Sequence, residues 1–293
     1  MPGVLLLVLS TLWGASYTFI RIGVETIPPI TFMAARTSLA AVLLLLYLRA
    51  ARIPLPRDGA VWKQFGVQAL LNSVVPFTLL AWAEREVQAG IATILNSTAP
   101  VLAFAGTALL TRHERVNRFK LVGVVAGLAG TCLLIGPSAL EGAGGQLVPQ
   151  LAIVVATVCY AAAAIYGRSF NGLHPALPAA GSLTMGAIAL LPASLIVDRP
   201  WSLHPSQESL LALGALALFS TALAMVIYFR LVRTIGSVGT TAQAYLRVPV
   251  GVLIGVLFLH ESLPSTAWWG MACIVGGVLA MSWPAAFNAR RLP

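Results

Sequence analysis

Apolar runs of about twenty residues, separated by short polar or basic stretches, dominate this chain from end to end. A helix needs roughly 20 apolar residues to cross about 30 Å of hydrocarbon. Ten windows meet that requirement: 3–20, 30–48, 64–83, 89–110, 119–136, 147–167, 178–197, 208–230, 236–259 and 266–285, here spans 1 to 10. Little sequence is left over for a soluble domain, so the pattern predicts an all-α integral membrane protein with ten transmembrane helices.

Composition agrees: 58% of the 293 residues are hydrophobic and only 9% are charged, with a mean hydropathy of +0.88, outside the range of soluble domains. The net charge of +9 is explained by its distribution over the loops rather than by a nucleic-acid partner. Thirteen lysines and arginines fall on one side, among them Arg49, Arg52, Arg57, Lys63, Arg112, Arg115, Arg168 and Arg233, against Arg21, Arg85 and Arg199 on the other. The positive-inside rule then places both termini in the cytoplasm of a cell-membrane (inner-membrane) protein. The first twenty residues lack a basic n-region and a convincing cleavage site, and are expected to stay as span 1. Cys132, Cys159 and Cys273 fall within apolar segments, so no disulfide is expected.

The chain also repeats itself. At an offset of 147, Arg21 aligns with Arg168, Pro28 with Pro175, Glu114 with Glu261, Gly123 with Gly270 and Gly130 with Gly277. Around spans 4 and 9 the offset becomes 149, laying QAGIATILNSTAPV (88–101) over SVGTTAQAYLRVPV (237–250). Each unit holds five spans, an odd number, so the second enters the membrane upside down. The predicted organisation is two inverted five-helix repeats, residues 1–140 and 141–293, around a central cavity, the architecture from which alternating access follows.

The segments STLWGASYTFIR, AGIATILNSTAPV, HERVNRFKLVGVVAGLAG, SVGTTAQAYLRVPV and HESLPSTAWWGMACIVGG, with Arg36 in span 2, resemble the drug/metabolite transporter superfamily in their order and duplication. The resemblance spans the whole chain, fits the EamA-type ten-helix branch, and within it is closest to YddG-type amino acid exporters. It implies a cavity walled by spans 1–4 and 6–9, with spans 5 and 10 peripheral, and export of small metabolites.

The residues offer their own candidates. All nine acidic residues lie in loops or at helix ends, so no intramembrane proton carrier is evident. Arg36 and Arg247 instead sit inside apolar segments, each costing about 2.5–3.5 kcal/mol on insertion scales. Freed backbone carbonyls, cavity water or a substrate carboxylate can offset that cost. Pro76, Pro100 and Pro249 leave the carbonyls of Asn72, Asn96 and Tyr245 without their helical donor, and such breaks are tolerated in lipid only where protein or water covers them. They are read as helix breaks or hinges facing inward. Helical spacing puts Thr240, Gln243 and Arg247 on one face, Thr93, Asn96 and Pro100 on another, and Gln68 beside Asn72. With Trp13, Tyr17, Trp82, Tyr160 and Tyr245, these residues outline a wet, aromatic-walled cavity for a zwitterionic or anionic solute with an apolar side chain.

Other matches carry less. The sequon Asn96-Ser97-Thr98 lies within a span, and the GxxxG pairs Gly123/Gly127 and Gly251/Gly255 are expected to serve close helix packing, with a weak homo-oligomer through span 5 as an alternative to a monomer. Glu114 and Glu261 are read as capping residues, with gating as the alternative. No metal-like spacing, cofactor motif, Walker motif, HExxH or GxSxG occurs, so neither cofactor, metal nor catalysis is expected. The reading is a secondary exporter of aromatic or other apolar amino acids. The alternatives are an exporter or facilitator of nucleotide-like, phosphorylated or drug-like solutes, or an intramembrane lipid-handling protein.

Overall fold

The computed structural model describes residues 2–83, 95–108, 118–135, 147–247, 249–250 and 265–288. Among these there is no strand, and the described part of every window is predominantly helical. The α-helices bounded among the described residues are α1 (Pro2–Gly23), α2 (Pro29–Ala50), α3 (Gly59–Ala69), α4 (Val75–Ala83), α5 (Ala99–Gly106), α6 (Arg118–Ile135), α7 (Leu147–Tyr166), α8 (Ala176–Val197), α9 (Gln207–Ala217), α10 (Ala224–Thr241) and α11 (Ser265–Asn288). Local chemistry sets several boundaries. Pro29 occupies the first turn of α2, where its missing N–H costs nothing. Asp58 caps α3 by accepting from the Ala60 N–H at 2.8 Å, and Ser206 caps α9 by accepting from the Ser209 N–H at 3.2 Å. By length and composition, four described stretches can cross a bilayer: Pro29–Ala50, Leu147–Phe170, Ala176–Val197 and Gln207–Thr241. The last runs through α9 and α10 and is kinked within α10 at Gly236, whose φ 82° and ψ 177° are a conformation open only to glycine. The chain breaks there between spans 8 and 9.

Spans 3 and 8 are interrupted at matching places. A π-turn, Leu70–Val74, joins α3 to α4, and another, Leu218–Leu223, joins α9 to α10. Pro76 follows the first by two residues, but the equivalent position after the second is Ala224. The break therefore does not depend on proline. Pro100 also differs from expectation: helix stops at Ser97–Thr98 and restarts at Ala99, leaving Pro100 in a first turn. In span 9 the interruption is a turn at Ala242, which accepts from the Tyr245 N–H at 3.1 Å, ahead of a buried Pro249.

Packing pairs helices from the two halves of the chain. The most extensive contacts join α6 with α11 and α2 with α8; α4 packs on α7 as α1 packs on α9, and α5 packs on α7 as α1 packs on α10. The α6–α11 pair is antiparallel. A Cβ on Gly123 would stand 2.5 Å from the Gly277 carbonyl oxygen, and one on Gly130 would stand 2.6 Å from that of Gly270. The first GxxxG pair thus serves contacts within the chain, with Gly127 under the ring of Tyr245; Gly251/Gly255, Glu114 and Glu261 lie outside the described residues. The α2–α8 pair is also antiparallel. At its end Asp198 Oδ2 accepts from the Thr31 N–H and hydroxyl, both at 2.8 Å, while Thr37 meets Gly186 further along. Leu46, Val122, Val125, Leu151, Ile188 and Leu211 point outward, an apolar coat suited to lipid tails.

Adding a side chain between α6 and α11 is expected to push these helices apart. Gly123→Val should lower Tm in detergent, equivalent to about 1–3 kcal/mol of overpacking. Gly276→Ala, where a Cβ meets nothing within 4 Å, should leave Tm unchanged.

Candidate functional site

Where the π-turns and helix breaks converge, the helices part around a cavity of about 920 Å³ of empty space, its open mouth included. Its walls come from α1, α2, α4, α5, α7 and α10, the two π-turns and the segment after Ala242. They belong to the half of the molecule where α1 ends and α2 begins. From the wall residues Trp13 and Tyr228 a run of touching rings leads away from the cavity through Phe229, Phe170 and Phe65 to Trp62, with centroids 5.1–6.0 Å apart.

Seven of the residues predicted from sequence line this cavity: Trp13, Arg36, Asn72, Asn96, Tyr160, Gln243 and Arg247. Arg36 is 4% exposed. Its Nε donates to Thr221 Oγ1 at 2.7 Å, one terminal nitrogen donates to Met33 Sδ at 3.8 Å, and its guanidinium lies 4.2 Å from the centroid of Phe77. Arg247 donates through Nε to Gln243 Oε1 at 2.7 Å and lies 5.0 Å from the Trp13 ring. Each charge thus gains a cation–π contact and a neutral acceptor. No aspartate or glutamate is among the lining residues described.

Three candidates lie elsewhere. Tyr245 is fully buried and donates to the Val124 carbonyl at 3.0 Å, bonding α6 to span 9. Trp82 is 42% exposed on the outer surface. Gln68 is buried behind the wall, where its Nε2 donates to the Ala163 carbonyl at 3.3 Å. Tyr17 lies in α1, but its side chain is outside the described residues. Pro76, Pro100 and Pro249 are buried without lining the cavity. For Gln68, Thr240 and Pro100 the cause is the interrupted helices. An i, i+4 rule applied through a π-turn misplaces the face by about one residue, which brings Asn72 to the cavity and leaves Gln68 behind it. The turn at Ala242 likewise puts Thr241, rather than Thr240, beside Gln243, and the turn at Ser97–Thr98 puts Ala99, rather than Pro100, beside Asn96. Thr93 is outside the described residues.

The sequence reading missed Ser220, Thr221, Met225 and Tyr228, all on the wall. The repeat held the signal: at an offset of 148, Asn72 pairs with Ser220, Phe77 with Met225 and Leu80 with Tyr228, and all six line the cavity. The second π-turn is anchored by residues of the first half. Trp13 Nε1 donates to the Ser220 carbonyl at 3.0 Å, and Thr221, which holds Arg36, donates to the Leu216 carbonyl at 2.8 Å.

A solved crystal structure superposes with a TM-score of 0.79 at 19% identity, covering 96% of this chain and 97% of that one, which establishes a shared fold. The uncharacterized inner membrane transporter YedA of Escherichia coli K12 is 29% identical over 279 residues, 94% of this chain and 89% of YedA. The uncharacterized transporter YoaV of Bacillus subtilis 168 is 26% identical over 271 residues, 92% of both chains. A probable terminal-alkyne amino-acid exporter of Streptantibioticus cattleyicolor is 26% identical over 274 residues, 92% of this chain and 89% of the exporter. The EamA-like transporter family matches twice, over residues 1–136 and 148–283. With both halves of the chain matched and a cavity between them, the protein belongs to the EamA-like transporter family of the drug/metabolite transporter superfamily and is a membrane transporter of small solutes.

Proposed function

We propose that this transporter is a secondary exporter of amino acids with aromatic or otherwise apolar side chains, or of closely similar carboxylate-bearing metabolites. The observation that carries this reading is the pair of guanidinium groups reaching one cavity with no acidic side chain on its described walls. A carboxylate entering there finds two cations whose desolvation it relieves. Trp13, Phe77, Leu80 and Met225 offer apolar and aromatic surface for a side chain. The similarity to a probable amino-acid exporter points the same way.

The frame we propose is two inverted five-helix repeats in the cell inner membrane, with both termini cytoplasmic. Support comes from the antiparallel α6–α11 and α2–α8 pairs, the matched π-turns, the reciprocal helix contacts and the twofold family match. The excess of basic residues in one set of loops sets the orientation, and the description of YedA agrees with the membrane. In this frame the cavity faces outward and the aromatic run closes the cytoplasmic half. Exchange of the two repeats' conformations opens the other side. Gly236, the only glycine with positive φ among the described residues, lies at the joint between spans 8 and 9, where such a movement would bend the chain.

Two measurements test the reading. Proteoliposomes loaded with a panel of labelled amino acids should release phenylalanine-like solutes without ATP, and Arg247→Gln should weaken apparent affinity about tenfold or more while leaving the amount of inserted protein unchanged. Movement of nucleotide-like or phosphorylated solutes in place of every amino acid would transfer the assignment to that class. For topology, single cysteines are placed in a background with Cys132, Cys159 and Cys273 replaced. One at Trp201 should react with a membrane-impermeant maleimide in intact cells, and one at Asp58 should react only after lysis; the reverse pattern would invert the orientation.

A further inference from the structure

Gln243 makes the same bond to Arg247 that a glutamate would make, without the charge. Its Oε1 accepts from Arg247 Nε at 2.7 Å, four residues along the chain, and the residue is only 7% exposed. Arg247 itself is half-buried at the cavity wall, and a cation drawn even partly out of water is ordinarily paired with an acid, because its desolvation is otherwise uncompensated. A glutamate at this position would offer the same oxygen geometry plus a full counter-charge. The amide withholds it. Arg36 is supported in the same manner, by a threonine hydroxyl, a thioether and a phenyl face.

Such supports fix direction and leave charge uncancelled. With Nε committed to Gln243 and the planar group over Trp13, the outer edge of the Arg247 guanidinium keeps its fork of N–H donors, which matches a carboxylate. The Trp13 support is itself held, its Nε1 donating to the Ser220 carbonyl at 3.0 Å. The repeat also separates frame from chemistry. Positions equivalent to Gln243 and Arg247 in the first half are Ile94 and Thr98, so the architecture does not require the pair.

We infer that Gln243 is a specificity-determining residue of this cavity: it orients Arg247 without neutralising it, and so selects a solute that brings its own carboxylate. The inference rests on the amino-acid reading above.

The test measures binding of L-phenylalanine and of its decarboxylated analogue, phenethylamine, to the purified full-length protein. Wild type, Q243E and Q243L are compared, each also in an R247Q background, with Tm recorded for every variant. Q243E keeps the bond to Nε and adds a counter-charge, so Tm should hold or rise. Phenylalanine affinity should nevertheless fall about 30-fold, and phenethylamine affinity should not fall. Q243L removes the bond but spares the charge; it should lose about fivefold for phenylalanine and keep the preference for phenylalanine over phenethylamine. In the R247Q background neither change should add more than about twofold, as expected of coupled residues. A merely structural glutamine gives the opposite order, with Q243E close to wild type and Q243L the worse. That order, or wild-type-like phenylalanine binding by Q243E, overturns the inference and leaves the amino-acid reading standing. If Q243E does not fold, loss of the phenylalanine preference in Q243L overturns it as well. Failure of folded wild type to bind phenylalanine overturns the amino-acid reading and this inference together.

Discussion

In hydrocarbon there is no water to take up a spare N–H or C=O, so every backbone polar group must find its partner within the protein. That constraint organises this transporter. Regular α-helix satisfies it over most of the outer surface, and the departures from α-helix turn polar side chains inward: the π-turns at Leu70–Val74 and Leu218–Leu223, the stop at Ser97–Thr98 and the turn at Ala242 all border the cavity. Side chains then take up several of the carbonyls nearby. Thr221 donates to the Leu216 carbonyl, Trp13 to that of Ser220 and Thr98 to that of Leu95. The bonds that satisfy the interrupted backbone are largely the bonds that position the cavity's polar groups.

A second layer of order comes from duplication. Spans 3 and 8 contribute matching faces, with Asn72, Phe77 and Leu80 answered by Ser220, Met225 and Tyr228, and Trp13 is answered by Tyr160. Charge does not follow the duplication. Position 183, equivalent to Arg36, is a fully buried leucine, and position 98, equivalent to Arg247, is a threonine. A frame whose halves must exchange conformations gains from equal backbones. A solute with one acidic end gains from unequal walls. On the proposed reading these two demands are kept apart: the helix breaks of spans 3 and 8 are duplicated and the arginines are not.

Much of this was legible in the sequence, and the limits are physical. Apolar length marks helices well, because few other structures satisfy the backbone in lipid, and the basic loops and the 147-residue offset needed only charge and identity to be seen. Arg36 and Arg247 stood out because a charge inside an apolar run is costly wherever it points. Which neighbours joined them at the cavity was harder. Facing rules assume 3.6 residues per turn, and that assumption fails just where the site is built. Gln68 was displaced by a π-turn, and Thr240 and Pro100 by turns within spans 9 and 4. Proline drew attention to the breaks but did not define them, since span 8 makes its π-turn with Ala224 where span 3 has Pro76. Tyr245 has the composition of a binding residue, yet its hydroxyl serves Val124 across a helix contact that Gly127 makes possible.

The neutral supports of the arginines fit the work of a carrier, which must release what it binds. A resident carboxylate would hold each guanidinium firmly and compete with the solute at every cycle. Ring faces and amide or hydroxyl oxygens hold it more gently. They define where the cation points in the empty cavity and give up little when a carboxylate arrives, because the Nε bond and the stacked face can persist beside a ligand on the outer edge. On the amino-acid reading proposed above, asymmetric charge held by neutral partners answers the need to attract an acidic group into the cavity and still let it go.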